Sequence, residues 1–189
     1  MNSENILDHF KQTDALLDGH FILSSGLHSS VYLQCALALQ YPIDAAKFGR
    51  TIAEHFIDSN IETVASPAIG GLIIGYAVAN ALNARFIWTE REAGAMTLRR
   101  GFSVKENERI LVVEDVITTG GSTRECIEVL ENHGAKVVGA ASVIDRSNGA
   151  ADVGVPRIAL ASLEVSSYKP EDCLMCAGGT AAYKPGSRK

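Results

Sequence analysis

A run of four apolar residues, Ile110-Leu111-Val112-Val113, passes directly into two adjacent acids, Glu114 and Asp115, and then into Val116-Ile117-Thr118-Thr119-Gly120-Gly121-Ser122-Thr123. A short, wholly apolar run of this kind is a strand covered on both faces, as in a parallel sheet. Gly120 and Gly121 let the backbone turn tightly and bring its amides close to a ligand. The hydroxyls of Thr118, Thr119, Ser122 and Thr123 add donors. A helix beginning near Ser122 puts Cys126, Val129, Leu130 and His133 on one face, and Gly134 fits its C-terminal stop. Its free N–H groups and its dipole favour a phosphate. Glu114 and Asp115 stand at the carboxyl end of the strand, where open α/β sheets bind ligands. Beside a phosphate they repel the ligand unless sugar hydroxyls and Mg²⁺ intervene. A ribose carrying a 5′-phosphate and a metal-bound 1-diphosphate meets that demand. A capped strand-to-helix turn of no particular function accounts for the glycines but not for the acid pair. No Gly-Lys-Ser/Thr follows, so the loop is not a Walker loop, and its glycine spacing is not that of a dinucleotide fingerprint.

The stretch resembles the phosphoribosyl pyrophosphate (PRPP) signature of type I phosphoribosyltransferases. Beyond it, Phe21-Ile22-Leu23-Ser24-Ser25-Gly26-Leu27-His28-Ser29 followed by Tyr32 resembles the N-terminal hood of the orotate phosphoribosyltransferases of pyrimidine (UMP) biosynthesis. Ser66-Pro67-Ala68-Ile69-Gly70-Gly71 resembles their diphosphate loop, and Val143-Ile144-Asp145-Arg146 the strand end with an orotate-contacting arginine. Cys176-Ala177-Gly178-Gly179 and Lys184-Pro185-Gly186-Ser187-Arg188 resemble the ending of one bacterial branch.

The resemblance implies Mg²⁺-dependent transfer of ribose 5-phosphate from PRPP to orotate, giving orotidine 5′-monophosphate and diphosphate. It implies Glu114 and Asp115 as catalytic residues at the ribose. For PRPP it implies Glu114, Asp115, Val116, Ile117, Thr118, Thr119, Gly120, Gly121 and Ser122, with Ala68, Ile69 and Gly70 at the diphosphate. Thr118 and Arg146 meet orotate, with Asp145 available to hold the Arg146 guanidinium. Mg²⁺ is held mainly through the diphosphate, with no dedicated protein ligand set, and the family is homodimeric. The family's flexible loop carries lysines and a histidine, but here Trp88-Thr89-Glu90-Arg91-Glu92-Ala93-Gly94-Ala95-Met96-Thr97-Leu98-Arg99-Arg100-Gly101 has neither. Arg91, Arg99 and Arg100 either replace them at PRPP or form a solvated surface turn. The lysine of the diphosphate loop is absent near Gly70, and the hood lysine corresponds to Ser24. A phosphoribosyltransferase for a purine or uracil shares the signature but leaves Arg146 without a task. A PRPP-sensing regulator of the same fold would add a basic DNA-binding module.

Strands and helices alternate along the rest of the chain. A helix is expected over residues 3–17, then a hairpin of 21–26 and 30–34. Pro42 opens a helix running to about 59, where Asn60 stops it. Strands follow at 63–66, 85–89, 136–144 and 157–162, with a helix at 72–82. This order predicts an α/β fold, a mostly parallel sheet flanked by helices, with a small N-terminal hood over residues 1–40 of a single 189-residue domain. From Cys173 onward the tail reads as an irregular surface segment.

The net charge of -5 argues against a nucleic-acid surface. No apolar run is long enough to span a bilayer, and the start lacks a signal-peptide pattern, so a cytoplasmic location is expected. Cys35 and Cys126 read as small core hydrophobes. Cys173-Leu174-Met175-Cys176 has metal or redox spacing. With no second pair it reads as two reduced thiols, the alternative being zinc completed by a partner subunit or a distant histidine. His9, His20, His28, His55 and His133 form no paired metal motif, and His28 reads as a polar turn residue of the hood.

Overall fold

The computed structural model describes residues 3–23 and 25–185. The hood position of Ser24 and the tail end at 186–189 lie outside the described residues. The chain opens with α1 (Ser3–Gln12), followed by the hairpin β1 (Leu16–Ile22) and β2 (His28–Leu33). Next come α2 (Cys35–Leu39), α3 (Pro42–Glu54), β3 (Thr63–Pro67), α4 (Leu72–Leu82), β4 (Arg85–Glu92) and β5 (Ala95–Leu98). The second half holds β6 (Arg109–Ile117), α5 (Gly121–Asn132), β7 (Lys136–Asp145), β8 (Arg157–Ser162), β9 (Ser167–Tyr168) and α6 (Leu174–Ala177).

Six strands form the main sheet in the order β5-β4-β3-β6-β7-β8, with only the β4–β5 pair antiparallel. The expected mostly parallel sheet with helical cover is therefore present. Alternation along β6 sets the two layers. Leu111 and Val113 join Phe48 of α3 and Ile74 and Val78 of α4 in one core. Ile110 and Val112 join Cys126, Ile127 and Leu130 of α5 in the other. From β3 the chain crosses through α4 to β4 on one side, and from β6 it crosses through α5 to β7 on the other. The order reverses between β3 and β6, and the crevice beyond their carboxyl ends is the switch point where such sheets take ligands.

Four boundaries differ from expectation. α1 stops at Gln12, because Asp14 takes a left-handed conformation (φ 54) and the chain turns into β1. β1 starts earlier than the hairpin was expected to, pairing Leu16 with Leu33, and a bulge between Asp18 and Phe21 breaks its register. β6 continues past the acids to Ile117, so they lie within the strand rather than at its end. The charged segment after residue 89 is a hairpin: β4 extends to Glu92 and returns through Ala93 (φ 49) and Gly94 (φ 89) into β5. Two left-handed residues in a two-residue loop match the twist of the flanking strands.

The tail from Cys173 is mostly exposed, as expected, but it and the short strand before it are tied to the hood. β9 pairs with β2, making the hood a three-stranded sheet. Cys173 is buried, α6 follows it, and Tyr183 bridges to Phe21 of β1.

Candidate active site

The sequence signature and the Ser66–Gly71 segment meet at the switch point. A Cβ built on Gly70 would lie 2.7 Å from Asp115 Oδ1, and one on Gly71 would lie 2.8 Å from the Val113 carbonyl and 3.1 Å from Glu114 Oε1. Only glycines let this loop lie so close to the acid pair. The Ala68–Ile69 peptide is cis, and Ile69 points its side chain to solvent.

Beyond the acids, residues 116–123 and Glu114 line a cavity of about 80 Å³. Gly120 caps α5 in a left-handed conformation (φ 76), with Val153 packed where a Cβ would stand. The first free N–H groups of α5 therefore open on a concave, hydroxyl-lined cup of phosphate size.

Strand alternation turns the two acids toward different neighbours, although their carboxyl groups stay within hydrogen-bond contact of each other. Asp115 lies beside Cys35 of α2, whose thiol donates to it, while Glu114 lies toward the α5 side near Cys126. Cys35 is thus more than a core hydrophobe: it touches the acid pair. Burial pushes Glu114 well above the usual carboxylate range, and its neighbour Asp115 adds to the effect. Burial also raises Asp115, against hydrogen bonds that include one from the Val116 N–H at 2.8 Å. An ionised pair here is under repulsion that hydroxyl donors or a divalent cation would relieve.

Thr118 belongs to two cavities. It closes the phosphate cup, and it also lines a larger cavity of about 470 Å³ with Tyr32, Leu33, Arg146, Lys184 and Pro185. Arg146 follows β7 and is tied to the signature strand by its N–H, which donates to the Ile117 carbonyl at 2.8 Å. Its Nε is buried with no hydrogen-bond partner among the described residues. Burial lowers its pKa, the sign of a cation stripped of water.

Asp145 does not hold this guanidinium. It is bonded to Arg157 Nη1 at 3.1 Å, to Ser147 and to the Gly149 N–H. Those partners keep its pKa below the usual range despite its burial. Consecutive residues at a strand end point apart, so Asp145 braces β8 while Arg146 faces the cavity.

The loop arginines are not drawn into either cavity. Arg91 pairs with Glu125 at 2.6 Å, Arg99 with Glu92 at 3.1 Å, and Arg100 with Glu90 through two bonds of 2.8 and 3.0 Å. Lys184, on the larger cavity, and Cys35, beside Asp115, were not singled out from the sequence for this site. Neither gave a local signal, because one lies in the tail and the other in an apolar stretch, each far in sequence from the residues it meets.

A mostly parallel sheet with a hydroxyl-lined cup, a close-lying glycine loop and an acid pair at its switch point fits a class of protein that handles a phosphorylated sugar. A family model described as the phosphoribosyl transferase domain matches residues 42–156. An orotate phosphoribosyltransferase from Caldicellulosiruptor bescii is 50% identical over 189 residues, covering 100% of both chains. The solved orotate phosphoribosyltransferase from Aeropyrum pernix superposes with a TM-score of 0.67 at 27% identity, over 84% of this chain and 93% of that one. The Mycobacterium tuberculosis enzyme solved with PRPP gives a TM-score of 0.66 at 26% identity, over 84% and 96% of the two chains. The chain belongs to the phosphoribosyltransferase family and, within it, to the orotate phosphoribosyltransferases.

Proposed function

We propose that this chain transfers the ribose 5-phosphate group of PRPP to orotate, releasing diphosphate, with the switch-point crevice as its active site. The observation that carries the choice of base is Arg146: a desolvated cation with a free Nε, opening on a cavity that shares Thr118 with the phosphate cup. Orotate carries a carboxylate that such a cation would pair with. The residues at 118–122 hold the 5′-phosphate through amides and hydroxyls. Glu114 and Asp115 accept the ribose hydroxyls and favour the positive charge that develops at the sugar as the bond to diphosphate breaks. Ala68, Ile69 and Gly70 hold the diphosphate against the acid pair. A ring nitrogen of orotate, oriented by Arg146 and Thr118, attacks the anomeric carbon from the larger cavity. The protein's contribution is positioning and electrostatics, with no covalent step of its own.

The donor set beside the glycine loop suits Mg²⁺. It consists of hard carboxylate oxygens whose repulsion a divalent cation offsets, next to a loop shaped for diphosphate. The diphosphate itself supplies most of the ion's ligands, with Glu114 and Asp115 as the nearby protein oxygens. When bound, the ion neutralises charge on the leaving group.

A base panel tests the reading. With PRPP and Mg²⁺, orotate should be consumed, and uracil, hypoxanthine, guanine and xanthine should not. Turnover of a purine in place of orotate would overturn the choice of base.

The remaining PRPP contacts are assigned to the β4–β5 hairpin of a second copy. Arg99 and Arg100 are exposed there and share Glu90, so a diphosphate could take them over. Arg99→Ala and Arg100→Ala should each raise the apparent KM for PRPP several-fold and leave that for orotate almost unchanged. Wild-type PRPP kinetics in both variants would return these arginines to the role of surface ion pairs.

A homodimer is supported by the face of α3 and α4. Ile43, Ile73 and Tyr76 are 72%, 45% and 64% exposed, around a cavity of about 350 Å³ lined by Pro42, Ala45 and Ala77. Such a contiguous apolar face is characteristic of an interface. Tyr76→Glu should convert a dimer to a monomer in light scattering; an unchanged mass would move the contact elsewhere. No helix among the described residues is long and apolar enough to cross a membrane. The reading places the enzyme in the cytoplasm, where PRPP and the nucleotide product are confined by their charge.

A further inference from the structure

Among the described residues, one group of four side chains outside the proposed chemistry brings its ligand atoms together. Cys173 caps the start of α6 and Cys176 lies within it, while His20, in the bulge of β1, and His28 of β2 bring their rings together across the hood hairpin. His20 Nε2 lies 2.8 Å from His28 Nδ1, 3.4 Å from Cys173 Sγ and 3.7 Å from Cys176 Sγ. Cys176 Sγ lies 3.3 Å from His28 Nδ1, and all four atoms fall within 4.8 Å of one another. His20, His28 and Cys173 are buried, and Cys176 closes the exposed side.

We infer that His20, His28, Cys173 and Cys176 form a structural zinc site that fastens the C-terminal tail to the hood. Two imidazole nitrogens and two thiolates are a complete tetrahedral set, with no position left open for a substrate. With bonds of about 2.0 Å to nitrogen and 2.3 Å to sulfur, tetrahedral geometry places nitrogen and sulfur about 3.5 Å apart. The measured sulfur–nitrogen separations bracket that value.

Hydrogen bonding alone does not account for the cluster. The Nδ1 of His20 is 2.8 Å from the Thr180 carbonyl, so it carries the proton and leaves Nε2 with one lone pair. Three donors, the His28 Nδ1–H and two thiols, would then compete for that pair. A cation at the centre satisfies all four atoms at once. The Thr180 carbonyl is also the outer partner that a metal-bound histidine normally has, and it fixes the ring and its tautomer.

The site joins segments about as far apart as this chain allows, and further bonds extend the clasp. The Tyr183 N–H donates to the His20 carbonyl, and the Ile22 N–H to the Tyr183 carbonyl, each at 2.8 Å. The next tail residues, Lys184 and Pro185, line the cavity that holds Arg146 and Thr118. A hood of three short strands buries little apolar surface, and a bound metal supplies folding free energy where such a core cannot.

The test is metal analysis of the full-length protein, purified without an affinity metal from zinc-supplemented cells. Stoichiometric zinc is expected in the wild type, with its loss to background in Cys176→Ser and in His28→Asn. Cobalt added to the chelator-stripped protein should give the visible bands of a tetrahedral ion and a thiolate charge-transfer band, a readout that needs no variant. Stripping should also speed amide hydrogen exchange at residues 173–183 while sparing the six-stranded sheet. A zinc-free wild type that gives no tetrahedral cobalt spectrum overturns the site, as does a Cys173–Cys176 disulfide found in the native protein. Unchanged exchange in the tail after metal removal overturns the fastening role.

Discussion

Replacing Asp115 by asparagine is expected to lower turnover by about 10²-fold or more while the protein stays folded. The carboxylate sits within β6 at the switch point, against Gly70 and the Cys35 thiol, where a developing sugar cation would meet it. Asparagine keeps the shape and loses the charge. Stability should hold, because burial already disfavours ionised Asp115, and removing its charge relieves the repulsion that raises Glu114. The measurements are kcat with saturating PRPP and orotate, and a thermal melt of the same preparation. Near-normal kcat in a folded variant would remove Asp115 from the chemistry.

Arg146→Ala should weaken orotate use by about 10²-fold or more, since it leaves a buried carboxylate without its cation. PRPP binding should change little, because the phosphate cup reaches Arg146 only through Thr118. The split is the informative part, with orotate kinetics and PRPP calorimetry measured on the same variant. The fold should tolerate the change. The Arg146 side chain bonds nothing that braces the sheet, whereas the adjacent Asp145 is committed to Arg157 and Ser147. If orotate use survives, the carboxylate is read by another group, with Lys184 a candidate on the same cavity wall.

How much of this could be read in advance varies by residue. The cup at 118–122 was legible because glycines, hydroxyls and a helix start lie within one short stretch, and the physics of a helix N-terminus is local. Arg146 was legible as a cation at a strand end, but its freedom was not. Whether Asp145 or an empty cavity faces it depends on where β8 places Arg157. The β4–β5 hairpin was missed because the end of β4, Glu90 to Glu92, is charged, β5 is only the four residues Ala95–Leu98, too short for alternation to mark, and Ala93-Gly94 is a weak turn signal. Arg99 and Arg100 therefore read as an open loop where the structure has an ion-paired arm.

The sequence by itself determined the fold class, the hydroxyl-lined cup and the acid pair, because each rests on residues close together in the chain, where periodicity and capping act. Only the tertiary structure decided what meets what. Gly70 comes against Asp115, Cys35 against the same carboxylate, Thr118 into two cavities, and His20 and His28 onto a pair of cysteines about 150 residues away in sequence. Spacing along the chain cannot encode these meetings. They follow from the parallel crossovers, which bring the carboxyl ends of β3, β6 and β7 to one edge, and from the hood, which pairs the first strands with the last.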